Sequence, residues 1–160
     1  MIAKTSDIRL LLDNIRSVHN VGSVFRTAET LGISHIYCTD TTPTPLDRFG
    51  KKRSDMAKVA LGAEDIIPWD LIEDSCAYVT KLKLEGFKVI ALEQSETSVD
   101  YKTITPGEKM LIILGNEVEG VSKDLLALAD VIAEIPMAGE KESLNVSVAA
   151  GIFLYRLLDR

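Results

Sequence analysis

The chain has 160 residues, 46% hydrophobic and 26% charged, the balance of a single globular domain (1–160) and not of a disordered chain. No apolar run approaches the roughly 18 residues of a membrane span. The N-terminus lacks a signal peptide's cleavage site, so a cytoplasmic protein with no membrane partner is expected. The net charge of −6 is unevenly spread: residues 1–60 hold nine basic and six acidic groups, and residues 61–160 hold nine and eighteen, which suggests that an anion is tolerated on one face alone.

In chain order, residues 8–12 form an apolar run that reads as a strand. Val21, Val24, Phe25, Ala28 and Leu31 follow at helical spacing, so 20–31 is a helix, ended by Gly32. A second strand is expected at 35–38. Pro43, Pro45 and Gly50 make the next stretch a loop. A short helix at 56–61 and a weak strand at 66–67 come next. A helical pattern over 70–85 closes on Gly86. Strands are expected at 88–92, 110–114 and 131–135, with helices at 123–129, after Ser122 as N-cap, and at 146–158. Apolar strands alternating with helices imply an α/β domain built on a mostly parallel sheet with helices on both faces. Ligands of such sheets bind at the carboxyl ends of the strands.

Familiar fingerprints are missing. There is no G-x-G-x-x-G after the first strand and no G-x-x-x-x-G-K-[ST], which removes NAD and ATP as leading ligands. No G-x-S-x-G elbow is present. Cys38 and Cys76 exclude a disulfide scaffold. With His19 and His35 they show no zinc spacing, so no metal is expected.

Three polar segments at strand ends remain. In 14–32, Asn20 and Gly22 lie where a helix begins, and Arg26 lies in its second turn; an N-cap and a surface arginine would look the same. In 113–122, Gly115 and Gly120 flank Asn116 and Glu117 after a buried strand. This suits a backbone turn close to a ligand, with Glu117 as a buried orienting acceptor, and equally an ordinary strand-to-helix turn. In 135–157, a glycine loop leads to Ser143, Leu144 and Asn145 before a helix that is apolar nearly all round. Such a helix is buried in the core or in a subunit interface. Separately, Arg48, Lys51, Lys52, Arg53 and Lys58 crowd around Phe49. Cations beside a stacking surface suit nucleic acid; a solvated loop is the plainer reading.

Taken together, N-I-R-S-x-x-N-V-G-S-x-F-R-T-A, I-L-G-N-E-x-E-G-V and I-P-M-x-G-x-x-x-S-L-N-V-S-V-A resemble the three motifs of the SpoU/TrmH branch of the SPOUT RNA methyltransferases. The resemblance runs from Ile8 to the C-terminus. VIALEQSETSVDY is also similar to the segment before the second motif in the tRNA guanosine-18 group, although close relatives modify ribosomal RNA or the tRNA wobble nucleotide.

The resemblance implies a C-terminal trefoil knot, a homodimer, and S-adenosyl-L-methionine (SAM) as cofactor, held around its adenosine by Leu92, Gly115, Ile135 and Leu144. It implies RNA, most readily tRNA, as substrate and partner. Arg26 would act at the reacting 2′-hydroxyl across the dimer interface. Because arginine stays protonated, clamping a phosphate and positioning the ribose is its plainer role. Asn20 would support Arg26 or the substrate. Glu117, Ser143 and Asn145 would orient Arg26 and the methionine end of the cofactor. Only seven residues precede the first expected strand, so RNA grip is expected from the catalytic domain, through Arg48, Lys51, Lys52 and Arg53. The alternatives are a catalytically silent knotted RNA-binding module, which would lose Arg26 or the Ser143–Asn145 pair, and a flavodoxin-like nucleotide-binding domain.

Overall fold

The computed structural model describes residues 6–39 and 41–159; the first five residues, read above for a leader, lie outside them. Seven strands form one sheet: β1 (Asp7–Leu12), β2 (His35–Thr39), β3 (Trp69–Ile72), β4 (Lys88–Leu92), β5 (Val99–Asp100), β6 (Lys109–Leu114) and β7 (Val131–Glu134). Their spatial order is β3-β2-β1-β6-β4-β7-β5, and all six pairings are parallel. Six helices connect them: α1 (Val18–Leu31), α2 (Ser54–Ala60), α3 (Ala63–Ile66), α4 (Ser75–Leu84), α5 (Lys123–Leu128) and α6 (Val146–Leu158).

The central strands are apolar without alternation because both faces of the sheet are covered. Leu10 and Leu12 of β1 join Val21, Phe25, Met56, Phe153 and Leu154 on one face. Leu11 joins Val79, Leu82 and Leu125 on the other. Helices α1, α2, α3 and α6 thus cover one side, and α4 and α5 the other. The expected α/β sheet with helices on both faces is what forms. No helix of the described residues is long and apolar enough to cross a membrane.

Local chemistry sets the helix ends. The Ser17 side chain accepts from the Asn20 N–H at the start of α1, and Gly32, at φ 70°, closes it. The Asn145 side chain caps α6 by accepting from the Ser147 and Val148 N–H groups. Three expectations need correction. Residues 66–67 are not a strand: α3 ends there, Pro68 follows, and the edge strand β3 begins at Trp69. The helix expected over 70–85 therefore starts only at Ser75, where the Asp74 side chain accepts from Ala77 N–H. Ser122 precedes α5 but makes no side-chain cap; its own N–H donates to Asp13 Oδ2 at 2.7 Å. The two-residue strand β5 and the 3₁₀ turn Tyr101–Thr103 after it have no sequence signal strong enough to predict them.

Because every strand is parallel, the turns after β1, β2, β4, β6 and β7 all emerge on one edge of the sheet. That edge is made rigid by close helix packing beneath it. A Cβ at Gly22 of α1 would lie 3.0 Å from Val59 Cβ and 3.2 Å from the Met56 carbonyl oxygen of α2. Gly22→Leu is expected to force α1 and α2 apart and to cost about 1–3 kcal/mol of stability. Urea unfolding checks this, and an unchanged midpoint would show that the helices can part freely.

Candidate active site

The turns after β4, β6 and β7, with the start of α6, enclose a cleft of about 280 Å³. Its walls are set by backbone. A Cβ on Gly115 would overlap the Gly120 carbonyl carbon and the Val121 nitrogen. Residues 115 and 121 therefore approach each other closely, and Asn116 and Gly120 exchange N–H···O bonds of 3.0 Å across the turn. Asn116 Oδ1 accepts from the Val118 and Glu119 N–H groups at 2.9 and 3.0 Å, while its amide nitrogen donates to the Asn14 carbonyl at 2.7 Å. At Gly120, φ is 71° and a Cβ would overlap the Glu93 carboxylate. Glu93 Oε2 accepts from Val121 N–H at 2.8 Å, so the turn after β4 holds the turn after β6. The tight approach that Gly115 permits is thus to the protein's own backbone.

All four residues expected around the adenosine, Leu92, Gly115, Ile135 and Leu144, line this cleft, as do Glu117, Ser143 and Asn145. Asn20, Glu117 and Asn145 are joined in one chain of hydrogen bonds. Asn145 Nδ2 donates to Asn20 Oδ1 at 3.0 Å, and Asn20 Nδ2 donates to Glu117 Oε1 at 3.1 Å. Glu117 also accepts from the Arg16 and Ser17 N–H groups at 3.2 and 3.1 Å, at the entrance to α1. The three sequence segments therefore meet at one place.

Glu117, expected to be buried, is exposed. Arg26, expected to act across a dimer interface, makes no ion pair or side-chain hydrogen bond to Glu117 or Asn20 within the chain. Arg26 is exposed on α1 and lies outside the cleft lining. Residue 26 is six positions, more than one and a half helical turns, beyond Asn20, which carries it to a different height and angle on the helix. Arg48, Lys51, Lys52 and Arg53 sit in the turn after β2, also away from the cleft. Asp13, Glu93 and Asn116 were missed by sequence reasoning. Asn116 carried a local signal, since Asn commonly bonds the N–H two residues on. Glu93 carried none, because its partner is 28 positions away.

The electrostatics of the cleft are one-sided. Glu93, Glu117, Glu119 and Glu134 line it, with no lysine or arginine among the described lining residues. Partial burial pushes the Glu117 carboxyl up, but the bonds from Asn20, from its own N–H and from Arg16 and Ser17 outweigh this and hold it below its ordinary value. Among the described residues, no group of three or more His, Cys, Asp or Glu side chains could hold a metal.

An all-parallel sheet with a cleft at its carboxyl edge, walled by turns, is a ligand-binding α/β domain. More narrowly, the chain belongs to the SpoU rRNA Methylase family, whose model matches residues 7–155. It is 28% identical over 152 residues to the tRNA (guanosine(18)-2'-O)-methyltransferase of Aquifex aeolicus (strain VF5), covering 95% of this chain and 69% of that protein. The crystal structure of the A. aeolicus TrmH/SpoU tRNA modifying enzyme aligns with a TM-score of 0.85 at 26% identity, over 98% of this chain and 76% of that one. The AdoMet-bound rRNA methyltransferase from Sinorhizobium meliloti aligns with a TM-score of 0.85 at 27% identity, over 98% of this chain and 57% of that one.

The depressed Glu117 carboxyl makes a pH prediction. A folded-state pKa below the ordinary 4.5 means that the stabilisation is fully present above about that pH and is lost as pH falls through the folded value. Glu117→Gln should therefore be less stable than wild type at pH 6, and the gap should narrow as pH falls below about 4.5. Thermal melts of both proteins across that range check it; a constant gap would show that the charge is irrelevant.

Proposed function

We propose that residues 1–160 act as one catalytic domain that transfers methyl from SAM to a ribose 2′-hydroxyl of RNA in the cytoplasm, with a guanosine of the tRNA 18 type as substrate. The observation that carries this reading is the convergence of Asn20, Glu117 and Asn145, from three distant segments, on one turn-walled cleft. The A. aeolicus relative supports tRNA; the S. meliloti neighbour, named an rRNA methyltransferase, supports ribosomal RNA as the second reading. A trefoil knot in the C-terminal part belongs to the proposal. It is supported by the way the segment after β7 lies against the turn after β4, where Gln94 Nε2 donates to the Glu142 carbonyl at 2.6 Å.

The cleft fits the cofactor. When bound, SAM supplies an electrophilic methyl group on a positively charged sulfur. Leu92, Ile135 and Leu144 offer apolar walls to an adenine, and the backbone at Gly115 closes one side. Four carboxylates around the cleft favour a cation. The same charges repel RNA phosphate, so a cation must be brought to the cleft mouth to hold the substrate.

Arg26 is that cation, supplied by a second copy of the chain. Val148, Ile152 and Tyr155 are 50%, 38% and 42% exposed, and their spacing puts them on one stripe of α6. A Cβ at Gly151 would meet nothing within 4 Å, which leaves room for another backbone. Tyr155 Oη lies 3.4 Å from Thr30 Oγ1 on α1, and Thr30 shares a face with Arg26, four residues earlier. A copy covering the α6 stripe would therefore also meet the Arg26 face, while α6 begins at the cleft wall. Each guanidinium can thus serve its partner's cleft, fixing the phosphate and aligning the 2′-oxygen for in-line attack.

Arg26→Ala should lower methyl transfer by about a hundredfold or more while leaving SAM affinity unchanged in calorimetry. Arg26→Lys should rescue poorly, since a point charge lacks the guanidinium fork. Mixing Arg26→Ala with Asn145→Ala protein should restore part of the activity, because a mixed dimer has one intact site. No restoration after subunit exchange would place Arg26 in its own chain's cleft, and an active monomer would remove the dimer altogether.

A further inference from the structure

The turn after β2 is rigid and presents an aromatic ring to solvent. Leu46 and Lys52 form an antiparallel bridge. Asp47 N–H donates to the Lys51 carbonyl at 2.8 Å, and Arg53 N–H donates to the Pro45 carbonyl at 2.9 Å. Asp47 Oδ1 accepts from both the Phe49 and Lys51 N–H groups at 2.9 Å, and Gly50 takes the φ of 75° that the reversal requires. These backbone bonds hold the Asp47 carboxyl below its ordinary value, so it stays ionised while serving the turn. On this frame Phe49 is 78% exposed, with the Arg48 guanidinium carbon 4.7 Å from its ring centroid.

The neighbouring charges divide into two kinds. Lys52 Nζ is held by Asp65 at 2.7 Å, and an Arg53 guanidinium nitrogen lies 3.9 Å from Asp55. Arg48 and Lys51 make no salt bridge among the described residues, although the Lys51 charge acts on Asp47, and in sequence they stand on either side of Phe49. An exposed apolar ring on an ordered turn contributes nothing to this chain's own core. A ring with a guanidinium on it, and a lysine outside any salt bridge two residues on, has the make-up of a single-strand nucleic-acid contact, in which a base stacks and cations meet phosphates. A base inside a duplex has no free face, so the fitting occupant is an unpaired nucleotide. The turn emerges on the same sheet edge as the cleft. Between β2 and β6, the nearest of the cleft's strands, lies only β1, so the two turns leave the sheet about 10 Å apart at roughly 4.8 Å per strand, within the span of one folded RNA.

We propose that the Arg48–Phe49 pair is a stacking platform for one unpaired nucleotide of the RNA substrate, with Arg48 and Lys51 on the adjoining phosphates. This rests on the RNA methyltransferase reading and deepens it by requiring an RNA with an unpaired base near the methylated ribose.

The test uses the full chain with S-adenosylhomocysteine and an unmodified tRNA transcript, with affinity measured at several salt concentrations. Phe49→Ala should weaken binding about five- to a hundredfold with the salt dependence unchanged, because stacking releases no counterions. Phe49→Leu should lose nearly as much, since it keeps the apolar volume but not the ring, and Phe49→Trp should bind at least as well as wild type. Lys51→Ala should instead flatten the logarithmic salt slope by about 0.7. The proposal is overturned if Phe49→Leu binds like wild type, or if Phe49→Ala alters sedimentation and not RNA affinity, which would make the ring a chain–chain contact. A wild-type chain that binds SAM but neither binds nor methylates the RNA would take down the RNA reading, and this proposal with it. Loss in the Phe49 variants alone, with SAM affinity intact, supports the platform.

Discussion

Glu117 accepts the two N–H groups at the entrance to α1 and the side-chain amide of Asn20, and through Asn20 it is tied to Asn145 at the head of α6. The first N–H groups of a helix have no partner inside the helix and must be met from elsewhere. Here a carboxylate from a turn about a hundred residues away in sequence meets the N–H groups just ahead of α1. The same contact fixes the height of α1 relative to β6, and so the distance from the cleft to the exposed α1 face. Asn145 has two roles at once: its oxygen caps α6 and its nitrogen reports the position of α6 to α1. Loosening any member of the chain would let the two helices slide against the sheet that carries the cleft.

The turns themselves are specified by what is missing from them. Between residues 115 and 121 there is no volume for a side chain at either glycine, because one position meets backbone and the other meets the Glu93 carboxylate. Glu93 can therefore approach the turn closely enough to accept the Val121 N–H. Asp13, buried at 3% exposure, does the same for Ser122 from the end of β1. Two carboxylates thus take up backbone donors that open just before α5, and polar groups buried at a sheet edge remain satisfied. The cleft is a by-product of close backbone packing more than of side-chain shape.

How much of this could be read in advance depended on range. Strands β4 and β6 were legible because burial on both faces leaves an uninterrupted apolar run, and β1 because Leu10–Leu12 form one after Arg9. Helix α1 was legible because Val21, Val24, Phe25 and Ala28 repeat at helical spacing and Gly32 closes it. Edge strand β3 was not legible. Asp70 and Leu71 are exposed, so its four residues lack both a continuous apolar run and clean alternation, while Leu71, Ile72, Cys76, Val79 and Leu82 mimic one long helix. Asp74, the true N-cap, was the signal that should have divided them. At the site, Leu92, Gly115, Glu117, Ile135, Ser143, Leu144 and Asn145, named from the motifs and the segment before the second of them, line one cleft. Which side chain touches which was invisible, because the contacts of Glu117 and Glu93 bridge 97 and 28 positions. Arg26 lies outside its own chain's cleft lining, and its expected role across a dimer interface involves a second copy of the chain.

The link from Asn20 to Asn145 spans 125 positions, and that separation has a meaning in time. Ribosomes add roughly 5–20 residues each second, so about 6–25 s pass between the synthesis of the two asparagines. During that interval β1, β2 and α1 can already dock, since they lie close together in the chain. The side-chain oxygen of Asn20 must then stay hydrated until Asn145 arrives at the head of α6. The cleft is accordingly the last region to become dry and ordered, and a nascent chain stalled before residue 145 carries a nearly complete sheet with no finished place for a ligand.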